Sequence, residues 1–388
     1  MPDLTVTGGR ILGSPDPMDV VISDGGIEAV VATGHVPEAT QTMDATGCLV
    51  LPGFVEAHCH LDKTLFGRPW VSHLAGDTLA ERIEHDRGRR AELGIPDPDA
   101  MRRLVGAMAA FGTTLLRTHT DVDPDVGLRG IEAVRRLAEE MADLVDVEQV
   151  AFPQHGLLSR PGTAELLDEA MRAGASVVGG LDPGTEGDAA AYLDVIFDIA
   201  QRHEASVDLH LHSHGAEGRQ ELDLVVERTA ALGMAGRVVA SHCYVFGDLD
   251  QIEAGRLAER MAAAGVAVVT AAPYSFPVPP LRLLAEAGVA VGIGHDGIRD
   301  LWGPYGTGDL LERARHVAYR SGLRRDDDIE LVLEAATTGG RAALGTDRRG
   351  VEPGAVADLV VLAATHAAEA VVLVPTDRRV VRAGIPQR

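Results

Sequence analysis

The sequence predicts an α/β fold, a (β/α)8 barrel of the TIM type carrying a small β-sandwich built from both termini. Three observations predict it. Short apolar runs alternate with longer helical patterns through the middle of the chain, the signature of repeated βα units and a parallel sheet. Short alternating strands with Gly and Asp turns fill both ends. The residues that close the apolar runs are mostly histidines, and in a barrel those run ends share one mouth.

Taken in order, the N-terminal strands are expected at residues 4–12, 19–22, 27–32 and 42–44. Barrel strands are expected at 49–57, 114–118, 147–152, 176–181, 206–211, 237–241, 266–271 and 289–293. The stretch from Trp70 to Phe111 is too long for a simple connection and is assigned to one or two helices inserted after the first strand. Closing strands are expected at 357–362, 370–374 and 379–383. The domains then read as residues 1–50 plus 350–388 for the composite sandwich and 51–349 for the barrel. An open doubly wound sheet is the weaker alternative, because its Gly-rich fingerprint should follow the first strand, and Gly53 precedes the end of that strand.

With 388 residues, 46% of them hydrophobic and 24% charged, the chain can bury at least one full core. The formal charge of -23 repels polyanions, which argues against nucleic acid as a partner. No run approaches the roughly 20 apolar residues a membrane span needs. Three cysteines, Cys48, Cys59 and Cys243, suit a reducing compartment, and a cytoplasmic protein with a small-molecule substrate is expected. Lys63 is the only lysine in the chain.

The run ends carry the chemistry. Run one closes on His58-Cys59-His60, run two on His119 and run three on Gln154 and His155. Run five carries His210, His212 and His214, run six closes on His242, and run eight on His295-Asp296. Strand side chains alternate with period two, so His58 and His60 project to one side. Together with His210 and Asp296 they make a three-nitrogen, one-oxygen set for one divalent metal ion. Such an ion would bring the pKa of a bound water toward roughly 7. His242 could polarise the substrate, and Asp296 could take the proton from the water.

These residues resemble the amidohydrolase superfamily. The resemblance is carried by Leu51-Pro52-Gly53-Phe54, His58-Cys59-His60-Leu61-Asp62-Lys63, Arg117-Thr118-His119, Phe152-Pro153-Gln154, Asp208-Leu209-His210, Ser241-His242 and Gly294-His295-Asp296. Their order is most similar to the cytosine deaminase branch, which also contains hydrolases of ring-bound amines such as N-isopropylammelide. The segment from Trp302 to Gly308 resembles the stretch after the metal aspartate in that branch. The resemblance implies a mononuclear Zn2+ or Fe2+ site on His58, His60, His210 and Asp296. It also implies His242 as catalytic partner and Gln154 as a contact to a planar ring, with Trp302 near the substrate. Binuclear members carry a carboxylated lysine on strand four, where this chain has Gly179-Gly180-Leu181-Asp182. Homo-oligomers are common in the branch.

Two positions depart from the pattern. Cytosine deaminase places a proton-shuttling glutamate three residues after the strand-five ligand, and here that residue is Ser213; a second acid often follows the metal aspartate, and here Gly297 stands there. Losing both argues against cytosine as substrate and is expected to enlarge the pocket. Lys63, His212 and His214 are the expected substitutes. Cys59 should point away from the metal, and the segments 86–90 and 324–328 read as solvated helix faces.

The reading is a metal-dependent hydrolase attacking a C–N bond of a small heterocycle or cyclic amide. The alternatives are an amidase or cyclic-imide hydrolase using Lys63 on a substrate carboxylate, and a binding protein that has lost catalysis.

Overall fold

The computed structural model describes residues 1–14, 16–35, 38–346 and 349–387. In chain order its strands are β1 (Leu4–Ile11), β2 (Met18–Ser23), β3 (Gly26–Ala32), β4 (Gln41–Asp44), β5 (Leu49–Pro52), β6 (Phe54–Cys59), β7 (Thr113–Asp121), β8 (Asp146–Phe152), β9 (Val177–Leu181), β10 (Ser206–His210), β11 (Val238–Ser241), β12 (Val266–Thr270), β13 (Val291–Ile293), β14 (Leu359–Leu362), β15 (Arg378–Arg382) and β16 (Ile385–Pro386).

Strands β6 to β13 lie side by side in chain order, each parallel to the next. The Asp296 N–H donates to the His58 carbonyl at 2.8 Å, and a parallel bridge between Cys59 and Asp296 draws the last strand to the first. The sheet is therefore a nearly closed (β/α)8 barrel. Strands such as β12, Val-Ala-Val-Val-Thr, are buried at every position, as required where helices cover one face and barrel side chains the other.

The second sheet runs β16-β15-β14-β5-β1-β2-β3, with β4 paired to β1, and joins both termini into the sandwich. It divides the expected run 49–57 in two. β5 pairs with β14 and β1, whereas β6 opens the barrel. Gly53 is the joint, because a side chain there would collide with Thr114.

One expectation changes and another becomes definite. Residues 370–374 are not a strand: 370–373 lie in a helix, Ala367–Leu373, and Val374 caps its end. His366 caps it by accepting from the Ala368 N–H, and Ala367, Ala370 and Val371 recur at helical spacing to meet the core. The insertion after β6 resolves into two helices, Leu79–Leu93 and Pro98–Ala110. Thr78 and Glu81 close a capping box on the first, Gly94 ends it in the left-handed region, and Asp97-Pro98 starts the second. Among the described residues no helix is long and apolar enough to cross a membrane.

Candidate metal centre and substrate cavity

Register places the donors. β10 pairs His210 with Ser241 of β11, so their strand ends are level, and the closing bridge does the same for Asp296 and Cys59. His242 and Asp296 follow their strands with φ of 70° and 65°, turns that carry both side chains over the barrel mouth.

His60 Nε2 lies 3.2 Å from Asp296 Oδ1 and 3.3 Å from His210 Nε2, and His58 Nε2 is 3.7 Å from Asp296 Oδ1. Two ligand atoms each about 2.0–2.1 Å from a tetrahedral ion are separated by about 3.3–3.4 Å, so this spacing fits a single cation. His58, His210, His242 and Asp296 also offer atoms all within 4.8 Å of one another, which makes five converging donors. Among the described residues His58 Nε2 is buried with no hydrogen-bond partner, as are both ring nitrogens of His242. Burial, then neighbouring imidazoles, holds His58 and His210 well below the usual histidine range, leaving neutral rings with lone pairs to offer. Burial pushes Asp296 up, but the His60 hydrogen bond and the surrounding imidazoles outweigh it and keep the carboxylate ionised. Its side chain, 29% exposed, keeps an edge toward solvent where the imidazoles do not.

A buried layer holds these donors. His58 Nδ1 meets Ser241 Oγ at 3.1 Å, Ser241 donates to Asp208 at 2.8 Å, and Asp208 accepts from Arg117, which also pairs with Glu148. Glu56 accepts from the His295 backbone N–H at 2.7 Å and meets its ring at 2.5 Å, fixing the residue before Asp296. Cys59 faces away, among Leu61, Met101 and Leu116. Burial raises the Cys243 thiol strongly, which disfavours a thiolate.

A cavity of about 760 Å³ opens beside the donors, walled by Phe152, Tyr244, Tyr274, Phe276 and Trp302. Lys63 is buried in its wall, 2% exposed. Its Nζ pairs with Asp121 at 3.0 Å and donates to Gln154 Oε1 at 2.5 Å. Burial works against the ammonium, but Asp121, Asp62 and Asp86 hold its pKa up. An ammonium can only donate, so Gln154 must turn its oxygen to Lys63 and its amide N–H groups elsewhere. Gln154 Nε2 and Trp302 Nε1 are both buried donors with no partner among the described residues.

The other expected residues divide. His212 lines the cavity, stacks on His242 at 4.6 Å and is held by Asp182 at 3.0 Å. β10 ends at His210, so the alternation stops there. His214 turns to the rim, half exposed, and pairs with Asp248. Ser213 donates at 3.0 Å to Glu221, a buried acid on the following helix that the sequence reading missed. The space beside Gly297 is not open, because the Asp300 carboxyl fills it. The 86–90 segment is not a solvated face either. Asp86 and Arg90 are buried and join Asp121, with Arg90 also 3.3 Å from His155, behind Lys63. Asp182 was in view at the end of strand four, and its acid following an apolar run was the signal for it.

Residues 97–385 match the Amidohydrolase family. The crystal structure of N-isopropylammelide isopropylaminohydrolase from Burkholderia multivorans ATCC 17616 superposes with a TM-score of 0.95 at 44% identity, over 100% of this chain and 98% of that one. The 5-methylcytosine deaminase from Klebsiella pneumoniae, liganded with 5-fluorocytosine, superposes with a TM-score of 0.87 at 30% identity, over 99% of this chain and 97% of that one. The uncharacterized protein YahJ of Escherichia coli (strain K12) is 34% identical over 300 residues, 76% of this chain and 65% of YahJ. This chain thus spans just under two thirds of the length of YahJ.

Proposed function

The chain belongs to the amidohydrolase superfamily, with cytosine deaminase-like relatives, and from that premise we propose that it hydrolyses the bond between a planar oxo-heterocycle and an exocyclic nitrogen. N-isopropylammelide and related N-alkylamino rings are the first substrates to try. Water adds at the ring carbon, the C–N bond breaks, and an amine leaves as the carbon becomes a carbonyl. The observation that carries the reading is the set of unpartnered donors, Gln154 Nε2 and Trp302 Nε1, in an aromatic-walled cavity beside five converging metal donors.

His58, His60, His210 and Asp296 would hold one Zn2+ or Fe2+. When bound, the ion supplies Lewis acidity and a water whose pKa falls to about 7. His242 is held near pKa 3 by burial first and by His212 second, so it is a neutral imidazole able to donate a hydrogen bond to the oxygen that gains charge. Asp296 carries the proton from the attacking water to the departing nitrogen. Gln154 and Trp302 donate to ring carbonyls, and Lys63 positions Gln154. His212 keeps His242 in place by stacking, with Ser213 and His214 farther out along the same wall. Since Asp121 already matches the Lys63 charge, a substrate carboxylate finds no free partner there, which favours the ring substrate.

In this proposal residues 51–349 are the unit that carries the chemistry, and residues 1–50 with 350–388 its scaffold. A cytoplasmic place accords with the three unpaired cysteines. Assembly into a homo-oligomer accords with the branch. The test is amine release from N-isopropylammelide by protein loaded with Zn2+ or Fe2+. Release is expected; none from this ring or from other N-alkylamino and amino oxo-heterocycles would overturn the proposal.

A further inference from the structure

Asp300 takes no part in the scheme above, yet the residue is 2% exposed and lines the cavity. Its Oδ1 is fully engaged, accepting the Trp302 N–H at 2.8 Å and the Gly303 N–H at 2.9 Å. Its Oδ2 takes no hydrogen bond from any described residue and sits against the backbone of Gly297. A Cβ at 297 would run into the carboxyl, with Asp300 Cγ at 2.9 Å, so glycine is what lets the acid come forward at this point of the wall. An acceptor that no described group engages at a cavity wall is open to a hydrogen-bond donor on a ligand. The same cavity holds the unpartnered donors of Gln154 and Trp302. A ring containing –NH–C(=O)– presents a donor next to an acceptor, the complement of one free acceptor among donors.

We propose that Asp300 is a specificity-determining residue whose Oδ2 accepts a hydrogen bond from a ring N–H of the substrate, selecting lactam and imide rings over N-substituted ones. This rests on the reading that the cavity takes a planar oxo-heterocycle. Burial pushes Asp300 up to about 6, with the Asp296 charge adding to it, so above neutral pH it is chiefly the carboxylate and a strong acceptor. The D300N substitution inverts this group. Two backbone N–H groups require an acceptor at the Oδ1 position, so the Asn oxygen stays there and its NH2 replaces Oδ2, presenting a donor to a donor.

The experiment is calorimetric binding to Zn2+-loaded wild type and D300N at pH 7.5, with uracil and isocyanuric acid as N–H rings and their fully N-methylated forms as controls. Wild type is expected to favour the N–H rings by at least about 10-fold, the scale of one charge-assisted hydrogen bond. D300N is expected to lose about 10-fold on the N–H rings and less than about 2-fold on the methylated ones. Equal weakening of both kinds would mark a loop-building role only, and equal binding of both by wild type, or binding of no N–H ring, would likewise overturn the assignment. Turnover separates the two claims. Amine release without ring discrimination removes Asp300 alone, whereas discrimination without release of any amine removes the hydrolytic reading alone.

Discussion

The Ser241 hydroxyl stands 3.1 Å from His58 Nδ1 and gives its only proton to Asp208. It can therefore only accept from His58, which puts the imidazole proton on Nδ1 and leaves the Nε2 lone pair facing Asp296. Removing the hydroxyl releases that tautomer. S241A is expected to weaken divalent-metal binding by about 10- to 100-fold with the fold intact, measured by competition against a chelator. Unchanged affinity would show that Ser241 does not set the ring.

His242 lies within reach of the metal donors, and its role can be separated from theirs. H242A is expected to keep its bound ion while kcat falls by about 10²- to 10⁴-fold, the usual worth of a positioned acid or base. Loss of the ion in H242A would make His242 a ligand in place of one of the four proposed.

Gly294 packs so closely behind the site that a Cβ would approach His58 N, His58 O and Glu56 Oε1 each at 2.5 Å. Backbone cannot yield as a flexible side chain can. G294A is expected to cost about 1–3 kcal/mol in denaturant unfolding and to weaken metal binding through His58. Wild-type stability and affinity in G294A would refute the packing argument.

Lys63 is paired with Asp121 where neither reaches solvent. Arg90 also meets Asp121, so K63M removes one of the two cations beside that buried carboxylate and leaves it under-matched, and K63M is expected to unfold at lower denaturant. K63M also frees Gln154 to rotate, and KM should rise more than kcat falls. A stable K63M with unchanged KM would return Lys63 to an incidental role.

Glu221 has its carboxyl pushed up to about 7, chiefly by burial, from an ordinary 4.5. The folded state thus binds the proton more tightly than the unfolded chain, and stability falls as pH rises from about 4.5 through about 7, by on the order of 3 kcal/mol. E221Q removes that titration. Its Tm is expected to exceed that of wild type at pH 8 by a wider margin than at pH 5, and a pH-independent difference would contradict the assignment.

Much of the site could be read from strand ends, because period-two alternation and barrel topology place His58, His60, His210, His242 and Asp296 without any side-chain contact being known. What escaped was set by contacts across the chain. Asp86 and Arg90 have a polar helical pattern that reads as solvated, and only Asp121, from a strand more than 30 residues on, makes them interior. Residues 370–374 are apolar enough for a strand, and the cap from His366 and the face offered by the helices Leu310–Arg320 and Asp326–Ala335 decide for helix. At Gly297 the missing side chain suggested space, and the acid filling it comes from Asp300 by a turn that local sequence does not announce.

The central claim is tested most directly by metal content measured alongside amine release from N-isopropylammelide, for wild type and for H60A/H210A. One divalent ion per wild-type chain is predicted, with release abolished by chelation and restored by Zn2+ or Fe2+, and neither ion nor release in the double variant. Release that persists in chelated wild type, or a double variant that still holds its ion, would contradict it.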